Sequence, residues 1–353
     1  MDDIPEAREI SESTLEEMLQ TVNLAWKLQK ATPAEDGFCS TYQVTVSSNG
    51  TTRKRYVKAS PDGQPYSIPT EARLQATLNT QTTIPVPNVL GITDDHETLP
   101  TPYFIMEALT GEAVAYERIG QLEDEALRRL ARELGEYLAE LHSIPVLENF
   151  GHVRHDGPAL TGDRPSGDPE ILTVDDPYTD WPTCLQAYAT RELDRHAESS
   201  FSELTPQLRH WVEASIEDLQ GPFEPVLGRN DHGLHNLLID PATGEITAML
   251  DWGYTLAVPA TFDFEFAVYL FSGTFLAGLP DVSDRRPLVR EAMLDGYRTV
   301  APDRANVLVT PEPLYEALAM TRIMNDFHHL DIPEESEPTV IARISNDLRA
   351  LLD

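Results

Sequence analysis

The periodicity of the chain changes near residue 108, and that change limits the folds open to it. Before it, short runs alternate apolar and polar residues in twos. STYQVTV (40–46) and TRKRYVKA (52–59) are separated by SSNGT, whose Asn49-Gly50 pair favours the tight reversal of a β-hairpin. Residues 10–30 place Ser13 ahead of Leu15, Met18, Leu19 and Val22, which is helical spacing behind an N-cap. SIPTEARLQATL (67–78) reads as a short helix with Pro69 in its first turn. IPVPNVLGI (84–92) and TPYFIMEAL (101–109) read as strands, the first an edge strand because of its prolines.

After residue 108 the pattern turns helical. Residues 122–142 set Leu127, Leu130, Leu134, Leu138 and Leu141 on one face of an amphipathic helix. Residues 150–180 are rich in Gly, Pro and Asp and read as a long irregular connection. Helices are expected over about 181–195 and 205–219. An isolated β signal follows, HNLLID and ITAMLD around the turn PATGE, and then helical stretches to the end. The expectation is an α+β chain with a β-rich N-terminal lobe over 1–107. A mostly helical C-terminal lobe with one buried hairpin follows over 108–353.

Charge narrows the function classes. Asp plus Glu number 59 against 26 Lys plus Arg, a net charge of −33. Affinity for phosphate backbones and anionic lipid comes from basic residues, so neither nucleic acid nor a membrane surface is an expected partner. The N-terminal MDDIPEAREI has neither a basic start nor an apolar stretch, so no secretory signal is expected and the expected location is cytoplasmic. Only four lysines occur, none after Lys58, and the other 22 basic residues are arginines. An acidic, lysine-poor composition suits a salt-rich cytoplasm, since high net charge is a lever halophiles use; an acidic mesophilic protein is the plainer alternative. Cys39 and Cys184 have neither disulfide-framework nor metal-site spacing and read as small buried residues.

The segment VLGRNDHGLHNLLIDPATGEITAMLDWG (226–253) carries the chemistry. Asp231 and Asn236 stand five residues apart before one apolar strand, and Asp251 follows a second. An antiparallel hairpin returns to where it began, so it would bring Asn236 and Asp251 to the same end. Convergent carboxylate and amide oxygens are what phosphoryl transfer needs: ligands for magnesium at the phosphates and a carboxylate to orient the attacking hydroxyl.

These residues resemble the signature of the aminoglycoside phosphotransferase family, relatives of choline and fructosamine kinases and, more distantly, of protein kinases. That signature is H-G-D-x-x-x-x-N followed some 15–20 residues later by I-D-W; here Asp231, Asn236 and Leu250-Asp251-Trp252 match it. The resemblance implies a bilobal protein kinase-like fold and a structural Asp263 tying the catalytic loop to a helix. It also implies that Lys58 in RYVKA is the phosphate-contacting strand lysine and Glu71 its helix partner. YFIMEALTGEAV (103–114) resembles the hinge, where backbone groups near Glu107 and Leu109 would bond adenine. DGFCSTYQVTV (36–46) resembles the loop that covers the phosphates, and residues 181–193 the helix after the family's insert.

There are departures. Arg229-Asn230 replaces the usual His-Gly, Gly233 replaces a common His, and Cys39-Ser40-Thr41 replaces the usual Ser-Asn pair of the phosphate-covering loop. The family's first His is a scaffold for the loop; Arg229 can donate to carbonyls, so the loop is expected to be held differently. His232 and His235 fill places not normally His and are expected to line the acceptor pocket or face solvent, a metal pair being the remote alternative.

The function implied is a kinase using ATP and Mg2+ to phosphorylate a hydroxyl of a small molecule. Asp231 would act as the base, Asn236 and Asp251 as metal ligands, and Lys58 with Glu71 at the phosphates. The rival is a nucleotide-binding pseudokinase with a regulatory role, which the altered Arg229-Asn230 supports. The survival of Lys58, Asp231, Asn236 and Asp251 argues against it.

Overall fold

The computed structural model describes residues 9–34, 39–114, 122–145, 147–276, 279, 282–330 and 332–352. Residues 36–38 of the phosphate-covering segment lie outside them. The chain divides into two compact units: residues 1–110 with 153–173 and 248–254, and residues 111–152 with 174–247 and 255–353.

The first unit is built on a six-stranded antiparallel sheet. Its strands are β1 (Lys27–Pro33), β2 (Ser40–Ser48), β3 (Thr51–Ala59), β4 (Val89–Thr93), β5 (Tyr103–Glu107) and β8 (Thr161–Asp163), in the order β1-β2-β3-β5-β4-β8. The β2–β3 hairpin pairs Ser40 with Ala59 through to Ser48 with Thr51. Its turn puts Asn49 and Gly50 at φ 50° and 78°, the double left-handed geometry that matches strand twist and that Asn-Gly tolerates. Helix α1 (Glu12–Val22) buries Leu15, Met18 and Leu19 against Val44, Val46, Val57 and Ile105 of the sheet. Helix α2 (Ile68–Gln81) packs Ile68 and Ala72 on Val89, Ile92 and Phe104.

Three local expectations are corrected here. The cap of α1 is Ser11, whose hydroxyl accepts from the Thr14 N–H, and not Ser13. The helix stops at Val22 because the Asn23 side chain accepts from the Ala25 N–H, an Asx turn that competes with helical bonding; residues 27–33 then form the edge strand β1. Strand β4 is interior, not an edge: its prolines precede Val89, and β8 pairs on its far side at Ile92↔Asp163.

The second unit is mainly helical. Helix α3 (Asp124–Leu141) has the expected leucine face buried. It is followed by α4 (Trp181–His196), α5 (Thr205–Glu217), α6 (Ala260–Ser272), α7 (Arg286–Val300), α8 (Pro313–Asn325) and α9 (Glu337–Leu352). The stretch 150–180 is not irregular throughout: β7 (Phe150–His155), β8 and β9 (Leu172–Tyr178) occur within it. Strand β10 (Val226–Gly228) pairs with β13 (Leu256–Val258), which pairs with Gly151 and His152 of β7. The motif hairpin is β11 (Leu237–Ile239) and β12 (Ile246–Met249), with β6 (Glu112–Ala113) on the other side of β11. Among the described residues no helix is long and apolar enough to cross a membrane.

Candidate active site

In the first unit, strand alternation decides where Lys58 points. Val57 and Ala59 go into the core and Lys58 to the other face of the sheet. There Nζ donates to Glu71 Oε2 at 2.8 Å and Oε1 at 3.0 Å, and to Asp251 Oδ1 at 3.3 Å. Glu71 comes from the first turn of α2, is 1% exposed, and accepts further bonds from Gln75 and the Trp252 backbone N–H. Burial pushes the Glu71 carboxyl up, against the pull of Lys58. Burial also acts to lower the Lys58 pKa, and the Glu71 and Asp251 carboxylates outweigh it, so the ammonium is held above its usual range.

Asp251 is half exposed and sits at φ 55°, a left-handed conformation that Asp adopts more readily than most residues. Trp252 fixes this turn: it is 1% exposed, and its indole N–H donates to the Met249 carbonyl at 2.9 Å. Lys58 on a strand and Glu71 on the helix 13 residues later therefore meet Asp251, on a turn 193 residues beyond Lys58, as one cluster. Glu107 and Leu109 follow at the end of β5. The Glu107 N–H already donates to the Asn88 carbonyl at 3.0 Å, so among the expected hinge groups that donor is committed.

The second unit carries Asp231 and Asn236 on one loop after β10. Asp231 is partly exposed and its N–H donates to the Arg229 carbonyl at 2.8 Å, closing a tight turn around Asn230 at φ 64°. Asn236 is buried, ends a short 3-10 turn, and its carbonyl accepts from Arg229 Nη2 at 3.5 Å. Arg229 thus braces the loop through a carbonyl, as its chemistry allowed. Asp263, in the first turn of α6, is fully buried and does what the resemblance implied: Oδ1 accepts from the Asn230 N–H at 2.8 Å. Gly228 permits this approach, because a Cβ there would meet Asp263 Cγ at 3.1 Å.

His232 corrects an expectation. It neither lines an acceptor pocket nor faces solvent, but is buried with Nε2 2.8 Å from Asp263 Oδ1. His235 is exposed, so the two do not form a metal pair. The sequence reading missed His142 at the end of α3, whose Nε2 lies 3.1 Å from Asp263 Oδ2. It also missed Arg322 of α8, whose guanidinium is held above its usual pKa, despite burial, by Asp231, Tyr188, Asp326 and Glu192. A cavity of about 1250 Å³ between Trp211, Phe223, Val226, Arg304 and Tyr315 in this unit is lined by none of the motif residues.

An antiparallel sheet carrying a lysine–glutamate pair, and a helical unit carrying an Asp-x4-Asn loop before a short hairpin, define an α+β protein of the kinase-like class. Comparison with known proteins gives the family: residues 30–308 match the model of the phosphotransferase enzyme family APH, and the chain belongs to it. Solved structures share the fold at low identity. A thermostable mutant of aminoglycoside phosphotransferase APH(4)-Ia, in ternary complex with AMP-PNP and hygromycin B, is 16% identical with a TM-score of 0.56, covering 96% of this chain and 98% of that one. ADP-bound aminoglycoside phosphotransferase APH(2'')-Ib is 14% identical with a TM-score of 0.52, covering 97% and 99%. An Arabidopsis thaliana protein named probable acyl-CoA dehydrogenase IBR3 is 23% identical over 233 residues, 60% of this chain. The match spans about a quarter (24%) of that protein's length.

Proposed function

We propose that the protein transfers the γ-phosphoryl group of ATP to a hydroxyl of a small molecule. The observation that carries the reading is the buried two-point pair of Glu71 with Lys58, which also reaches Asp251. An ammonium fixed in this way offers compact positive charge to phosphate oxygens without reorganising. The Met1–Thr110 unit would hold the nucleotide, with backbone groups of Glu107 and Leu109 at its base.

Asp231 is the group we assign to the acceptor. Its carboxylate takes the hydroxyl proton as the acceptor oxygen bonds to the γ-phosphorus. The bond from that phosphorus to the β–γ bridging oxygen breaks, and ADP leaves with the electron pair. Asn236 and Asp251 would be the ligands of Mg2+. A carboxylate and an amide oxygen are the donor types it takes, because magnesium that arrives with a nucleotide uses one or two protein oxygens beside the phosphates and needs no all-protein cage. Among the described residues no group of three or more His, Cys, Asp or Glu forms such a cage. Bound there, the ion would neutralise charge on the phosphates. The reading places the enzyme in the cytoplasm, where ATP is made available.

Radiolabelled ATP with magnesium, offered with a panel of sugars, amino-alcohols and aminoglycosides in molar KCl, tests this. Label transferred from ATP to one acceptor class, with stoichiometric ADP, is the expected result. Tight ATP binding with neither transfer nor hydrolysis would overturn it in favour of a pseudokinase.

A further inference from the structure

We propose that His232 is a positioning residue for Asp231, acting through the buried Asp263 carboxylate. The proposal rests on the reading of Asp231 as the base and extends it to a residue that touches no substrate.

At φ 64° Asn230 occupies the left-handed conformation, which a non-glycine residue keeps where its surroundings enforce it. Its own side chain is not the enforcer: both amide atoms are buried without a hydrogen-bond partner among the described residues. The hold is on the backbone, through the Asn230 N–H to Asp263 Oδ1 at 2.8 Å. His232 Nε2 meets the same oxygen at 2.8 Å, so Asp263 grips the loop on both sides of residue 231. Asp231 lies between two fixed neighbours, with its own N–H tied to the Arg229 carbonyl.

Chemistry settles the proton positions. Asp263 is held as a carboxylate, far below its usual range, by the two histidines that overcome its burial, and a carboxylate only accepts. Both rings therefore present Nε2–H to it. His142 Nδ1 is left to accept from the Tyr297 hydroxyl at 3.0 Å, and the Arg304 guanidinium holds the His142 carbonyl. The Asp263 carboxylate is thus anchored from behind by α3 and α7, and its free side is spent on the loop. His232 Nδ1 is buried with no partner among the described residues. The Asp263 bond is then the polar contact that orients the ring.

The test compares His232→Leu, which deletes the donor, with His232→Gln, whose Nε2 replaces it, and His232→Asn, too short to reach. In hydrogen exchange, the peptide covering 229–236 should exchange faster in the Leu and Asn variants and as in wild type in the Gln variant, with α6 unchanged in all three. In the transfer assay, kcat should fall about 10²-fold in the Leu and Asn variants, the loss a displacement of about 1 Å can cause, with KM for ATP unchanged. The Gln variant should recover most of kcat. Unaltered loop exchange in both the Leu and Asn variants overturns the proposal whatever the activity. Faster exchange with wild-type kcat would leave His232 a structural residue and overturn the catalytic role. A wild-type protein without transfer or hydrolysis would overturn the assignment of Asp231 itself, a result the exchange data do not mimic.

Discussion

Lys58 Nζ lies within 3.0 Å of both carboxylate oxygens of Glu71, a group only 1% exposed, and is itself almost covered. Two opposite charges have been taken out of water together, so each depends on the other. Removing Lys58 alone strands a buried carboxylate, which typically costs about 3–5 kcal/mol. Lys58→Met should therefore lower the urea midpoint sharply. The double variant Lys58→Met, Glu71→Leu should regain most of that loss, because a well-packed apolar pair is often as stable as an ion pair. Neither variant should transfer phosphate. A double variant no more stable than the single one would show that Lys58 acts on the fold by some route other than Glu71.

Asp231 and Asp251 should fail in different ways. Asp231 faces the acceptor hydroxyl in the proposed reaction and makes no bond to ATP that binding needs. Asp231→Asn should cost 10²–10⁴ in turnover, as loss of a base does, while nucleotide affinity measured by calorimetry stays close to wild type. Asp251→Ala should weaken binding of the magnesium–ATP complex itself. Residual transfer above about a tenth in Asp231→Asn would remove it as the base.

What the sequence made legible follows from which forces act locally. The β2–β3 hairpin and α3 were readable because alternation, Asn49-Gly50 and the leucine spacing each act within a few residues. Strand β1 was not: KLQKATP is mostly exposed and carries no apolar alternation. Strand β8 pairs with β4 some 70 residues earlier in the chain, a partnership no local window contains. In the site, Lys58, Glu71 and Asp251 could be marked in order along the chain, but their meeting is a tertiary fact. His142 gave no signal at all, and His232 stood out only as a departure from the motif, with nothing to say that it turns inward to Asp263. A single histidine has no period, and only the position of Asp263 between them reveals their use.

Salt should stabilise the protein. With 59 carboxylates against 26 basic groups, self-repulsion in the folded state is large and reaches over a Debye length of ~10 Å at 0.1 M, shrinking to ~3 Å at 1 M. Thermal melts in 0.1 and 2 M KCl should show a higher midpoint in the second. A flat or falling midpoint would mean that the acidic surface is balanced locally.

His196 should make the fold sensitive to acid in a defined window. The ring ends α4 fully buried, with Nδ1 2.8 Å from the Thr205 hydroxyl and Nε2 3.2 Å from the Met324 sulfur. Neither partner carries charge, so burial pushes the imidazole down from 6.5 to about 4. A folded-state value below the unfolded one means that the unfolded chain takes up the proton first as pH falls. The stability that neutral His196 supplies is therefore complete above about 6.5, and it drains away as pH falls toward about 4. His196→Gln cannot titrate. Its midpoint should start lower at pH 7.5, from imperfect packing, and then fall less steeply than wild type between pH 6.5 and 4.5, by up to one proton's worth of slope. Parallel denaturation curves for the two proteins across that window would mean that His196 is protonated without cost in the fold, and that the acid lability lies elsewhere.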